Sequence, residues 1–302
     1  MNKTQNFEVI IIGGSYAGLS AAMALGRSLR KTLIIDSGSP CNKQTPHAHN
    51  FITQDGVKPS EIASKAKAQV LKYPTVSFIE DLAIKGSKTE NGFQILTKSG
   101  KPYTAKKLVF ATGVKDILPV VKGFSECWGI SVVHCPYCHG YEIRNQKTGI
   151  MANGDTAMHL ASLVNNLTDK LTILTSGKAD FDAEQLSKLK KHKIEVIEKE
   201  IVEIEHENGH LKYIIFSDGS KEGFTAAYGH IPFKQHTDIP GTLGCQINEQ
   251  GYIEVDMMQK TSLDGVFSCG DNTSRMRSLS NAIASGNIAG AMANMELSQE
   301  EF

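Results

Sequence analysis

The sequence predicts an α/β protein built on two copies of one strand, turn, helix, strand unit. Three observations predict it. Glu8 to Gly38 aligns without a gap to Lys147 to Gly177 at an offset of 139 residues. Each copy runs from an apolar strand through a turn of small residues into a helix and a second strand. The 302 residues, 40% of them apolar, can fill two cores at about 150 residues per domain.

In the first copy Val9 to Ile12 is the strand, Gly13-Gly14-Ser15-Tyr16-Ala17-Gly18 the turn, Leu19 to Leu29 the helix, and Thr32 to Ile35 the next strand. This is a Rossmann-type unit. Gly13 permits the tight turn, Gly18 lets the helix pack closely on the strand, and backbone N–H groups at the helix start face a pyrophosphate. Ser15 stands where the usual middle glycine would be, and as a small residue with a side-chain donor it weakens the motif without breaking it. Asp36, at the end of the second strand, sits where an acid can accept the ribose hydroxyls of an adenosine. Taken alone, such a turn is as readily a plain βα connection. Two further strands shift the balance. Leu108 to Gly113 ends in small residues, and Gly265-Val266-Phe267-Ser268-Cys269-Gly270-Asp271 ends in an acid. The helix Ser280 to Met292 that follows is rich in Ala and Gly, a composition that lets it approach a flat ring closely.

The second copy keeps less of the pattern. Ala152-Asn153-Gly154-Asp155-Thr156-Ala157 retains only the middle glycine, and Thr175 occupies the position of Asp36. Ser176-Gly177-Lys178-Ala179-Asp180 supplies no arginine pair for a 2′-phosphate. NADPH specificity is unsupported by these residues, and use of any NAD(P)H is left open.

Charge excludes some partners. Lys+Arg and Asp+Glu balance at 32 each with no long basic run, which speaks against nucleic acid and anionic membrane. The early apolar run Val9 to Ile12 is too short for a signal-peptide core or a spanning helix, so a cytoplasmic location is expected.

Six cysteines in a chain of this length make no disulfide framework, and a close pair in a reducing compartment is more often catalytic or metal-binding. That pair lies in His134-Cys135-Pro136-Tyr137-Cys138-His139-Gly140. A turn or opening helix brings two such cysteines to the Cα separation of about 5–6 Å that a disulfide needs, so a reversible dithiol is available. Cys135-Pro136-Tyr137-Cys138-His139 also matches the attachment pattern of c-type haem. A zinc site would need His134, Cys135, Cys138 and His139 together, whereas structural zinc usually draws on two separated pairs, so no metal is expected. His47 and His49 alternate on an extended stretch and could share a face. Cys41, Cys127, Cys245 and Cys269 read as ordinary buried thiols.

As an ordered set, GGSYAG at 13 to 18, Asp36, ATG at 111 to 113, CPYC at 135 to 138, Gly229-His230-Ile231-Pro232 and CGD at 269 to 271 resemble the low-molecular-weight thioredoxin reductase family, the class II pyridine nucleotide-disulfide oxidoreductases. The resemblance spans nearly the whole chain. It implies two Rossmann-like three-layer domains, the second inserted into the first: a discontinuous FAD-binding domain of residues 1–116 and 242–302, and an NAD(P)-binding-like domain of residues 117–241 carrying the cysteines. It also implies a homodimer. Gly13, Gly14, Ser15, Ala17, Gly18 and Asp36 would hold the ADP half of FAD, Gln44 and Asn50 would add cofactor contacts, and Thr112, Gly113 and Gly270 would close the site. Asp271 would meet the ribityl chain. Cys138 would stand against the flavin, leaving Cys135 to attack a substrate sulfur.

In the family the residue after the second cysteine serves as acid and base and is usually aspartate. Here it is His139, which resembles a branch of dithiol oxidases acting on small disulfide-containing molecules; a histidine titrating near neutrality can take a proton from a dithiol and return it. Leu279-Ser280 replaces the Arg-Gln pair that the reductases carry near the start of the last helix. The expected activity is FAD-dependent electron transfer between the flavin, the Cys135/Cys138 pair, and a small dithiol or disulfide or a thioredoxin-like protein. The alternatives are an oxygen-dependent dithiol oxidase that uses no nicotinamide, and a redox-responsive binding module.

Overall fold

The computed structural model describes residues 5–302 and divides into two compact units. The first holds the chain through Lys43, Ser60–Lys115 and Phe233–Phe302; the second holds Gln44–Pro59 and Asp116–Pro232. Two segments therefore group differently from the expected boundaries. Residues 233–241 go with the first unit, because Ile239 in the short helix Ile239–Leu243 is buried in that unit's core. Residues 44–59 go with the second, because Gln44 and Thr45 lie against Gly129 and His49 stands 3.6 Å from Glu142.

The first unit is built on parallel strands in the order Val76–Glu80, Thr32–Asp36, Gln5–Ile12, Pro102–Phe110, Val266–Ser268. Val9 to Ile12 are all buried, the pattern of a strand covered on both faces. An antiparallel ribbon of Ala83–Thr89 and Gly92–Thr97 joins the other end of Pro102–Phe110. The helices Tyr16–Arg27 and Leu279–Glu301 pack on each other at backbone distance. A Cβ on Gly286 would come within 2.1 Å of the Ala17 carbonyl oxygen, and one on Gly290 within 2.4 Å of that of Ala21. The small residues of the last helix thus serve its contact with another helix. The Ser20 hydroxyl donates to the Ile283 carbonyl at 2.7 Å, along the same seam.

The second unit repeats the plan. Its parallel strands run Glu195–Ile197, Leu171–Leu174, Thr148–Met151, Ala226–Gly229, Val132–Val133. In the first unit the outermost strand on the equivalent side, Val266–Ser268, comes last in the chain; in the second its counterpart Val132–Val133 comes first. A three-stranded antiparallel sheet of Ile201–Glu207, His210–Phe216 and Lys221–Gly223 completes the unit. Among the described residues no helix is long and apolar enough to cross a membrane.

Candidate functional site

Open parallel sheets place ligands at the carboxyl ends of their strands. In the first unit the sequence-predicted residues of those ends come together. A Cβ on Gly13 would lie 2.2 Å from the Ala111 carbonyl oxygen, so the first turn sits directly on the Ala111-Thr112-Gly113 turn, and Gly13 has a φ of +105°. A Cβ on Gly18 would lie 1.8 Å from the Gly13 carbonyl oxygen, which closes the turn onto the helix. Gly14 donates its N–H to Asp36 Oδ1 at 2.8 Å, and Gly38 donates to Oδ2 at 3.1 Å, fixing the acid at the strand end. Ser15 is the N-cap of Tyr16–Arg27, and its hydroxyl makes no capping bond. The helix's first internal bond runs from the Leu19 N–H to the Ser15 carbonyl, so the N–H groups before it are not used within the helix. Gly270 packs on Ala17 and donates to the Ser285 hydroxyl at 3.0 Å. Asp271 follows, 3.7 Å from Arg277.

Asn272 belongs to this cluster, and sequence reasoning missed it. It is fully buried and donates to the Phe110 carbonyl and to the Thr112 hydroxyl, each at 3.1 Å, locking two strand-end turns together. An asparagine directly after the CGD triplet was the available signal. Gln44 and Asn50 lie in the second unit. Gln44 rests on Gly129, while Asn50 takes a φ of +57° and donates its N–H to Asp55 at 2.8 Å.

The second turn is clasped by its own chain. Asn153 caps the helix Gly154–Val164 through its Oδ1, which also accepts from the Asp180 N–H at 2.9 Å, while its Nδ2 donates to the Lys178 carbonyl at 2.8 Å. Gln185 ties Asp155 down at 2.7 Å. Residues 178–180 therefore lie across the helix start, and they bring Asp180 toward the place a pyrophosphate would need.

The dithiol turn rises from the carboxyl end of Val132–Val133. Cys135 caps the four-residue helix Pro136–His139, and its Sγ accepts the Cys138 N–H at 3.2 Å. Both sulfurs are thiols and both are partly exposed. Tyr137 points outward, 70% exposed. Behind the pair, burial and the neighbouring His49 push the His139 pKa down to about 4. The expectation that His139 titrates near neutrality is thereby corrected: it is a neutral imidazole at physiological pH, because a proton there would be poorly solvated and repelled. His49 itself stands 3.6 Å from both Asp55 and Glu142. The His47 ring lies 6.4 Å from that of His49, and its Nδ1 pairs with the Gly56 carbonyl at 2.9 Å. Among the described residues no three His, Cys, Asp or Glu side chains gather as a metal site.

Of the remaining cysteines, Cys127, Cys245 and Cys269 are buried, and burial drives the Cys269 thiol up to about 12. Cys41 departs from the expectation and is exposed.

Two dinucleotide-type units, one with a fully formed glycine turn and one with a dithiol at a strand end, define a class of redox protein. Comparison with known proteins specifies it. The pyridine nucleotide-disulphide oxidoreductase family matches residues 7–286. Thioredoxin reductase tcpT of Claviceps purpurea is 30% identical over 98% of this chain and 96% of its own. The thioredoxin reductase of Listeria innocua is 26% identical, covering 94% and 92%. The crystal structure of an oxidoreductase from Agrobacterium tumefaciens superposes with a TM-score of 0.91 at 35% identity, covering 97% and 99%. The chain belongs to the pyridine nucleotide-disulphide oxidoreductase family, as an FAD-dependent oxidoreductase of the thioredoxin reductase-like class.

The first unit fits that cofactor. Its turn glycines leave no room for side chains, which keeps the backbone bare, whereas a Cβ on Gly113 would meet nothing within 4 Å, so the space before it is open. An acid fixed at the second strand end completes a donor and acceptor set suited to an adenosine diphosphate.

Proposed function

We propose that the protein passes electrons between FAD and the Cys135/Cys138 pair, and between that pair and an outside dithiol or disulfide. The observation that carries this is the placement of the two thiols at a strand's carboxyl end with the partly buried imidazole of His139 next to them in the same helix. Gly13, Gly14, Ser15, Ala17, Gly18 and Asp36 hold the ADP half of the cofactor, and Thr112, Gly113, Gly270 and Asp271 border its remainder. Bound FAD supplies the two-electron chemistry that oxidises the dithiol or reduces the disulfide.

In the oxidising direction a substrate thiolate attacks the sulfur of Cys135 in the Cys135–Cys138 disulfide. The S–S bond breaks, Cys138 leaves as thiolate, and a mixed disulfide forms. The second substrate thiolate then attacks its partner sulfur and releases Cys135. In the reducing direction the Cys135 thiolate attacks and Cys138 resolves. The Cys138 N–H stabilises negative charge on Cys135 in both directions. Neutral His139 takes the thiol proton only transiently, in concert with attack on sulfur, because a lasting imidazolium is disfavoured there, and returns it to the leaving sulfur.

A second reading, an oxidase that takes electrons from a dithiol, passes them to oxygen and uses no nicotinamide, is favoured by the clasp of Asn153 on residues 178–180. With a carboxylate drawn toward the helix start, that turn is poorly suited to a second dinucleotide. The partner is accordingly a small dithiol or disulfide, with a thioredoxin-like protein as the alternative suggested by the relatives' names. We place the activity in the cytoplasm and in a homodimer, as the family resemblance implies.

Anaerobic mixing of the holoprotein with dithiothreitol, NADH or NADPH, followed at the flavin absorbance, tests this. Dithiol alone should bleach the flavin, and air should restore it. Bleaching by a pyridine nucleotide but not by dithiol would establish the reductase direction. No response to any of the three would overturn the proposal.

A further inference from the structure

We propose that the Tyr228 hydroxyl donates a hydrogen bond to the Cys135 thiolate and so sets the acidity of the attacking sulfur, which adds a catalytic residue to the dithiol site. The inference rests on the reading of Cys135 as the attacking thiol.

Tyr228 lies on the strand Ala226–Gly229, in register with Val133 on one side and Ile150 on the other. Val133 is two residues before Cys135, so the tyrosine stands directly under the dithiol turn. Its ring is fully buried in an apolar cluster with Val133, Ile150, Ala157 and Leu160. A Cβ on Gly140 would lie 3.1 Å from its hydroxyl, which puts that oxygen beneath the end of the helix Pro136–His139. The hydroxyl has no hydrogen-bond partner among the described residues.

Buried hydroxyls are nearly always bonded, and phenylalanine would fill the same place without leaving a donor unmet. The unmet donor acquires a purpose when the state of the neighbouring sulfur changes. A neutral thiol is a weak acceptor, whereas a thiolate is a strong one. Cys135 receives the Cys138 N–H at 3.2 Å, and a donor from below adds to that stabilisation of the anion. Burial first, and then Cys135, Glu142 and Cys138, push the ionisation of Tyr228 upward. It therefore remains protonated, and a donor, throughout the range in which thiols ionise. Of the other titratable groups, His134, His139 and Glu142 flank the pair in the chain, Glu142 also acts on Tyr228, and His49 acts on His139 from residues 44–59.

The test is alkylation of FAD-loaded, dithiol-reduced protein by iodoacetamide under anaerobic conditions at a series of pH values, with labelling of Cys135 read by peptide mass spectrometry. Tyr228→Phe should raise the Cys135 midpoint by about one pH unit and raise the high-pH limiting rate about threefold, because a more basic thiolate is the stronger nucleophile. A purely structural role would move neither. Unchanged midpoint and limiting rate in a variant that keeps its flavin would overturn the proposal. A measurement on the wild type stands independently of that variant's folding: tyrosine ultraviolet absorption should shift with the Cys135 midpoint and lose that shift in Cys135→Ser. Dithiol turnover by Cys135→Ser separates the two levels. Retained turnover would remove Cys135 as attacking thiol, whereas lost turnover beside an unshifted Tyr228→Phe profile would remove only the role of Tyr228.

Discussion

His139 ends the four-residue helix that carries both cysteines, and its surroundings decide its charge. With a folded-state pKa near 4 against an ordinary 6.5, the unfolded chain binds the extra proton first as the solution is acidified. The stabilisation is complete above about pH 6.5 and is lost as pH falls through about 4, worth roughly 2–3 kcal/mol over that window. Urea unfolding of His139→Gln should show a shallower loss of stability between those pH values than the wild type. The same variant should slow dithiol turnover about 10²-fold or more while retaining FAD, since glutamine cannot accept the proton. Equal turnover in stopped-flow assays would remove His139 from the chemistry. Asp36 shows the complementary case, a residue whose place at a strand end was legible in the sequence and whose carboxylate is held there by the backbone N–H groups of Gly14 and Gly38.

At the scale of elements, the two strand-turn-helix units were readable because a strand buried on both faces must be apolar throughout and a tight βα turn must be built of small residues. The purpose of the last helix was not readable in the same way. Its alanines and glycines suggested approach to a flat ring, yet Gly286 and Gly290 meet the backbone of Tyr16–Arg27. Composition announces close approach without naming the neighbour. Gly286→Ala would force a methyl group into the Ala17 carbonyl, and the helices must separate. We expect a destabilisation of about 3 kcal/mol by denaturant unfolding. Because Ala17 lies in the first turn of that helix, among the residues proposed to hold the ADP half, reduced FAD retention by absorbance should accompany it. The far end of the same helix is fixed differently, by Lys107, which is nearly buried between Glu296 at 2.9 Å and Glu300. The clasp at Asn153 likewise belongs to the folded chain. The sequence showed that the second turn lacks its acid, but not that residues 178–180 fold back across it.

For the whole molecule, a cofactor that binds only the folded chain stabilises it by mass action, about 4 kcal/mol at a thousandfold excess over the dissociation constant. Stripping FAD should therefore lower the melting temperature, and added FAD should restore it in a concentration-dependent way; calorimetry that finds no dependence on FAD would contradict a resident flavin. Two repeated units, the glycine turn with its acid, the dithiol and the family resemblance were set by the order of residues alone, because each is carried by residue types at fixed places in short segments and by the order of those segments along the chain. Tertiary structure decided the neutrality of His139, the exposure of Cys41, the lock formed by Asn272, the closed second turn, and the allotment of residues 44–59 and 233–241 to their units. These are matters of which groups the folded chain covers or brings side by side, where burial and neighbouring groups, rather than residue type, determine what a side chain can do.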